Sequence, residues 1–140
     1  MLFVLFVPVK TSYDPCMILA AVDDLLFSSK IRTTAKLAGV ELTFARTPSD
    51  ILEQARTHRP ALVIFDLNST KADPIDTVAA MKRDAELASI PTLGFVSHVH
   101  TDIIEAARSA GIDEVMARSA FAGRLAEILL AASHHSDEPR

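Results

Sequence analysis

The sequence has a single cysteine, Cys16, so no internal disulfide can close. That fits a reducing compartment and points to the cytoplasm. Positive charge is not in excess either. Lys and Arg number 14 against 18 Asp and Glu, a net charge of -4. General nucleic-acid binding therefore has no electrostatic support. No stretch approaches the roughly 20 apolar residues that a membrane helix needs, so no membrane partner is expected. The apolar start Met1-Leu2-Phe3-Val4-Leu5-Phe6-Val7 stops at Pro8. It lacks a basic flank and an Ala-x-Ala-like cleavage site, and is not read as a signal peptide. No internal repeat and no linker divides the chain.

What is present is a globular composition, with 49% apolar and 23% charged residues. A length of 140 residues suits one domain with one core. Residues 1–16 read as an extension, because Pro8 and Pro15 bracket the aperiodic Lys10-Thr11-Ser12-Tyr13-Asp14 and Met17 then opens a strand. Either the natural start is Met17, or 1–16 supply an extra apolar strand or docking peptide. Residues 17–132 form the domain proper, and 133–140, with His134 and His135, form a polar, frayed tail.

Within the domain, strands and helices alternate. Met17–Val22 is the first strand. Phe27, Ile31 and Ala35 then share one helical face up to about Ala38, and Gly39 stands where a left-handed helix stop belongs. Val40–Ala45 is the second strand. Thr47-Pro48-Ser49-Asp50 starts a helix that turns Ile51, Leu52 and Ala55 inward and runs to about His58, before Pro60. Ala61-Leu62-Val63-Ile64-Phe65 is a short unbroken apolar run, as expected of a strand buried on both faces. Asp73-Pro74-Ile75-Asp76 predicts a helix to about Glu86, with Val78 and Met81 inward. Pro91–Ser97 is the fourth strand. Asp102 and Glu105 resemble a capping box for a helix ending at Gly111. Ile112–Ala117 is a half-polar edge strand. Ser119 is read as the cap of a last helix striped by Phe121, Leu125, Ile128 and Leu129.

Five such units imply an α/β fold: a flavodoxin-like, doubly wound parallel sheet in the order 2-1-3-4-5, with helices on both faces. Its switch point lies between the first and third strands, where open sheets place ligands. Asp23 and Asp24 leave the first strand there, and Asp66 leaves the third. Three carboxylates at one sheet edge repel unless a cation sits among them. Oxygen-only ligands favour Mg2+ over a transition metal. The backbone carbonyl of Asn68 adds an oxygen, Ser97 places a hydroxyl beside Asp66, and Arg118 places a cation there.

In these residues the chain resembles the receiver domains of two-component response regulators, of the chemotaxis-regulator type. The resemblance covers about residues 17–132. It rests on Val22-Asp23-Asp24, Leu62-Val63-Ile64-Phe65-Asp66 with Asn68, Ser97, and Ala110-Gly111. It implies that Asp66 is the phosphoacceptor, that Asp24 binds Mg2+ directly and Asp23 partly through water, and that Ser97 is the switch hydroxyl. A carboxylate can serve as nucleophile to give an acyl phosphate while Mg2+ shields its charge. The implied function is a phosphorelay signalling protein with no output domain attached, not an enzyme beyond self-phosphorylation and self-dephosphorylation. Its implied partners are a histidine kinase or phosphotransfer protein, and a downstream protein or second copy on the last helix–strand–helix face (Ala106, Ala110, Val115, Ala122).

The chain departs from that family at several positions. Arg118 followed by Ser119 stands where the family has lysine and proline, and the two cations are not interchangeable. Thr70 replaces a proline, Pro74 a glycine, and Val115 the switch aromatic. His98 follows the switch hydroxyl, where a small residue is usual. The alternative reading is thus a pseudo-receiver that works by protein contact without phosphorylation. Two rivals fare worse. Asp66-Leu67-Asn68-Ser69-Thr70 looks like the Asp-x-Asp-x-Thr signature of haloacid-dehalogenase phosphatases, but an asparagine cannot replace their acid. A flavodoxin would need a Ser/Thr/Gly-rich phosphate loop where Asp23-Asp24 would repel phosphate. His98 and His100 read as loop residues, not as a metal pair.

Overall fold

The computed structural model describes residues 17–97 and 101–137, with side chains to residue 133. The extension 1–16 with Cys16, the loop histidines His98 and His100, and the side chains of His134 and His135 lie outside the described residues. Five strands are β1 Ile18–Ala21, β2 Leu42–Phe44, β3 Leu62–Asp66, β4 Thr92–Val96 and β5 Glu114–Ala117. The helices are α1 Leu25–Ala38, α2 Pro48–His58, α3 Pro74–Arg83, α4 Thr101–Ala110, α5 Arg118–Gly123 and α6 Leu125–Asp137. The sheet order is β2-β1-β3-β4-β5, as the alternation predicts. All pairs are parallel, with Ala21 opposite Phe65 and Asp66 opposite Phe95.

Alternating side chains of the central strands feed two cores. Leu19, Val63, Phe65 and Val96 face α2, α3 and α4, packing with Ile51, Met81 and Ala107. Ile18, Ala20, Ile64 and Phe95 face the other way, onto Phe27 and Ile31 of α1 and Phe121, Leu125 and Leu129 of α5 and α6. Each fully buried large apolar side chain contributes about 2 kcal/mol. Every residue of β3 is buried, Asp66 included.

Local signals explain most boundaries. The Asp24 carboxylate caps α1 by accepting from the Phe27 amide at 3.1 Å. Gly39, at φ 73°, turns the chain out of α1 in the left-handed region. Thr47 caps α2, with Pro48 in its first turn.

Other boundaries differ from expectation. α3 ends at Arg83 rather than near Glu86, because Asp84 folds the following turn: it accepts from the Glu86 amide at 2.9 Å and pairs with Arg56 at 3.0 Å. Asp73 does not cap α3; it sits at φ 43° with no side-chain bond to the helix. Thr77 instead secures that turn, donating to the Ala72 and Asp73 carbonyls at 2.8 Å each. Asp102 lies inside α4, so the expected capping box does not form. Ser119 likewise lies inside α5, whose N-cap is Ala117. The last helix breaks at Arg124, after the weak helix former Gly123, and α6 continues to Asp137, beyond the expected start of the tail.

Candidate functional site

Asp66 ends β3 at the carboxyl edge of the sheet, and only 6% of its surface is exposed. The adjacent Leu67 amide still bonds to β4, reaching the Phe95 carbonyl at 2.9 Å. The carboxylate is thus fixed by the end of a central strand. Its Oδ1 accepts from the Asn68 amide at 3.0 Å. Burial pushes the Asp66 carboxyl above its ordinary value. The Asn68 amide and the Arg118 charge pull it down, and the Asp24 and Asp23 charges push it further up.

Asp24 stands across the switch point on the loop leaving β1. Its Oδ1 is committed to the Phe27 amide, and its Oδ2 accepts from Arg118 Nη2 at 2.9 Å. The Arg118 hydrogen bond, then the Phe27 amide, hold this carboxyl below the usual range. Arg118, the first residue of α5, lies with its guanidinium carbon 4.2 Å from the Phe27 ring centroid. Its Nη1 donates to Ser97 Oγ at 3.4 Å. One planar fork therefore ties the loop after β1 to the loop after β4.

Beneath it, Phe27, Phe95 and Phe121 form a cluster. Phe27 meets Phe95 edge-on at 5.1 Å, and Phe95 stacks on Phe121 at 4.8 Å. Asn68 makes a second tie: its side-chain oxygen accepts from the Ser97 amide at 2.7 Å. Asp66, Asn68, Asp24, Ser97 and Arg118 thus converge as the sequence predicts.

Asp23 does not complete a cage. Its carboxylate turns to Arg46, 3.8 Å away. Among the described residues, no group of three or more His, Cys, Asp or Glu side chains is placed to hold a metal ion. The expected three-carboxylate cluster is therefore not closed: Asp24 holds Arg118 at 2.9 Å and Asp23 lies nearest Arg46. The donor chemistry of Asp24, Asp66 and the Asn68 carbonyl, all hard oxygens, still fits Mg2+ or Mn2+, on condition that Asp24 gives up its guanidinium.

Three contributors escaped the sequence reading. Phe27 read only as core, although its place three residues after Asp24, in the first turn of α1, is the signal that it borders the pocket. Asn68 read only through its carbonyl. Arg46 was not singled out, and nothing local to it pointed to Asp23. Beside the pocket, and sharing Ser97 with it, runs a groove of about 410 Å3 lined by Val96, Ile104, Arg108, Val115 and Met116. Val115 is half-buried there, where an aromatic was expected.

A parallel sheet in this order is the flavodoxin-like doubly wound fold, and here a buried aspartate stands at its switch point with acidic and basic groups around it. The comparisons with known proteins find the same fold in response regulators. No family model matches the chain. The polar-differentiation response regulator DivK of Brucella anthropi is 23% identical over 115 residues, 82% of this chain and 94% of that protein. The phosphorylated cyanobacterial phytochrome response regulator RcpA superposes with a TM-score of 0.70 at 21% identity, over 84% of this chain and 91% of that one. The Mn2+-bound response regulator Rcp1 does so with a TM-score of 0.70 at 20% identity, over 90% and 98%. At these identities the solved structures show a shared fold.

Proposed function

We propose that this chain is a response-regulator receiver that accepts a phosphoryl group on Asp66 in a phosphorelay. The observation that carries the reading is Asp66 itself, the one buried carboxylate among the described residues, fixed at the switch point with Asp24 and Arg118 around it. An Asp66 carboxylate oxygen attacks the phosphorus of a phosphohistidine donor. The P–O bond forms as the P–N bond breaks, and the leaving imidazole takes a proton. Mg2+, bound by Asp24, Asp66 and the Asn68 carbonyl, would supply charge neutralisation for the transferring oxygens. Asp23 would contribute through water. Arg118 and Ser97, already joined, stand ready to receive phosphoryl oxygens as donors. On this reading the chain is no enzyme beyond gaining and losing its own phosphoryl group.

The donor would be a histidine kinase or phosphotransfer protein. The apolar groove along α4 and β5 would meet a downstream protein or a second copy. Among the described residues no helix is long and apolar enough to cross a membrane, and the reading places the protein in the cytoplasm. The test is incubation with a small phosphodonor and Mg2+, followed by intact mass. Gain of one phosphoryl mass in the wild type and none in Asp66→Asn is expected. An unchanged wild-type mass would overturn the reading.

One observation favours the alternative of a pseudo-receiver: Arg118 pairs with Asp24, the residue a metal would need. That reading predicts partner binding indifferent to Asp66→Asn, and a clear loss on that substitution would count against it.

A further inference from the structure

We propose that Arg118 is an internal competitor for divalent metal: its guanidinium and the cation exclude one another at Asp24 Oδ2. The inference rests on the reading of Asp24 and Asp66 as a metal-binding pair, and goes beyond it by assigning what sets the affinity of that pair.

Both oxygens of Asp24 already have a partner. Oδ1 caps α1 through the Phe27 amide at 3.1 Å, and Oδ2 holds Arg118 at 2.9 Å. Each oxygen keeps a second lone pair, but a cation on either one meets the guanidinium charge that Oδ2 holds at 2.9 Å, and Oδ1 also has to keep its cap on α1. Arg118 is not a loosely held surface cation. Its guanidinium carbon lies 4.2 Å from the centroid of Phe27 and 5.9 Å from that of Phe95. Its second nitrogen reaches Ser97 Oγ at 3.4 Å. A lysine would bring a compact point charge with no planar face to lie on the ring and no second fork arm. The arginine therefore neutralises the acidic pocket in advance, and a metal gains from Asp24 only what remains after the guanidinium is displaced. Asp23, turned toward Arg46 at 3.8 Å, is left the outer, water-mediated role and does not replace Asp24.

The experiment is calorimetric titration of the full chain with Mg2+ and, separately, with Mn2+, with no phosphodonor present. Arg118→Ala and Arg118→Gln are expected to bind about tenfold more tightly than the wild type, as loss of a partly buried ion pair and a cation–π contact allows. Arg118→Lys should fall between, and Asp24→Asn added to Arg118→Ala should remove the gain. Thermal melting followed by circular dichroism checks that each variant is folded; the glutamine variant keeps the length of the side chain if alanine proves unstable.

Equal or weaker binding by both neutral variants overturns the proposal, as does absence of binding in all of them at millimolar metal. Failure of the two readings is distinguishable. Tighter metal binding by Arg118→Ala without any phosphoryl gain on wild-type Asp66 sinks the phosphoacceptor reading and leaves the competition standing. Phosphoryl gain without tighter metal binding does the reverse.

Discussion

Asp23 reaches Arg46 at 3.8 Å with side chains 33% and 51% exposed, whereas its neighbour Asp24 holds Arg118 at 2.9 Å with exposures of 38% and 29%. The carboxylates are identical and adjacent, and each meets an arginine. What separates the pairs lies behind the arginine. Arg118 is seated on Phe27, which leans on Phe95, which stacks on Phe121. Its guanidinium loses little further freedom on pairing. Arg46 is an exposed side chain just after β2. A charge pair is thus made specific by an apolar floor, and the floor belongs to the core. The functional site and the second hydrophobic layer are one structure.

The most severe way to break the comparison is to remove that floor. Phe95 is fully buried in β4 and touches both other rings. Phe95→Ala should cost about 3–5 kcal/mol of folding stability, read as a fall in the urea midpoint. In the same variant the Asp24 carboxyl, followed by NMR titration, should move back up toward its ordinary value as Arg118 loses its seat. A loss below about 1 kcal/mol, the range of tolerated core swaps, with Asp24 unmoved, would show that the ring cluster does not support the ion pair.

How far the sequence foretold this arrangement can be judged from the same residues. The strand order and the meeting of Asp24, Asp66, Ser97 and Arg118 were legible, since unbroken apolar runs and regular alternation leave few topologies open. The stripes Phe27-Ile31-Ala35 and Phe121-Leu125-Leu129 were legible for the same reason. Which partner each charge chooses was not. Asp24 and Arg118 are 94 residues apart, and no local pattern distinguishes Asp23's arginine from Asp24's. Caps were legible where the side chain has one role, as at Thr47. They were not at Asp73, Asp102 and Ser119, where a good capping residue sits inside a helix or beside it in a left-handed turn. Propensity there yields to how neighbouring strands deliver the chain.

Milder changes test the electrostatics at the two facing carboxyls, with opposite signs. The folded-state value of Asp66 is raised, with burial the largest cause. Folded protein then holds the proton more tightly than unfolded, so the ionised carboxylate weakens the fold as pH rises from about the unfolded value of 3.8 through the raised folded one. Asp66→Asn should therefore raise the urea midpoint at pH 7, with the gain shrinking as pH approaches 4. Asp24 is depressed, chiefly by Arg118. Its contribution is present above the unfolded value of 3.8 and is lost as pH falls through the folded one. Asn caps helices as well as Asp does, so Asp24→Asn isolates the charge. It should lower the midpoint at pH 7 and leave less difference in acid. Equal signs for the two substitutions at pH 7 would contradict the assignment of burial to one and ion pairing to the other.

The finest test compares the two arginine pairs directly by double-mutant cycles, with Arg46 and Asp23 changed singly and together in one, and Arg118 and Asp24 in the other. For the exposed pair at 3.8 Å the coupling should be close to zero, as for most surface pairs. The Arg118–Asp24 pair has a bond of 2.9 Å and a guanidinium already oriented by Phe27, and should couple by about 1 kcal/mol, the upper end of that range. High salt should shrink the second value without abolishing it, since part of the interaction lies over the ring and away from solvent. If the two cycles return the same coupling, the aromatic floor contributes nothing to pairing, and the difference between the neighbouring aspartates is one of distance alone.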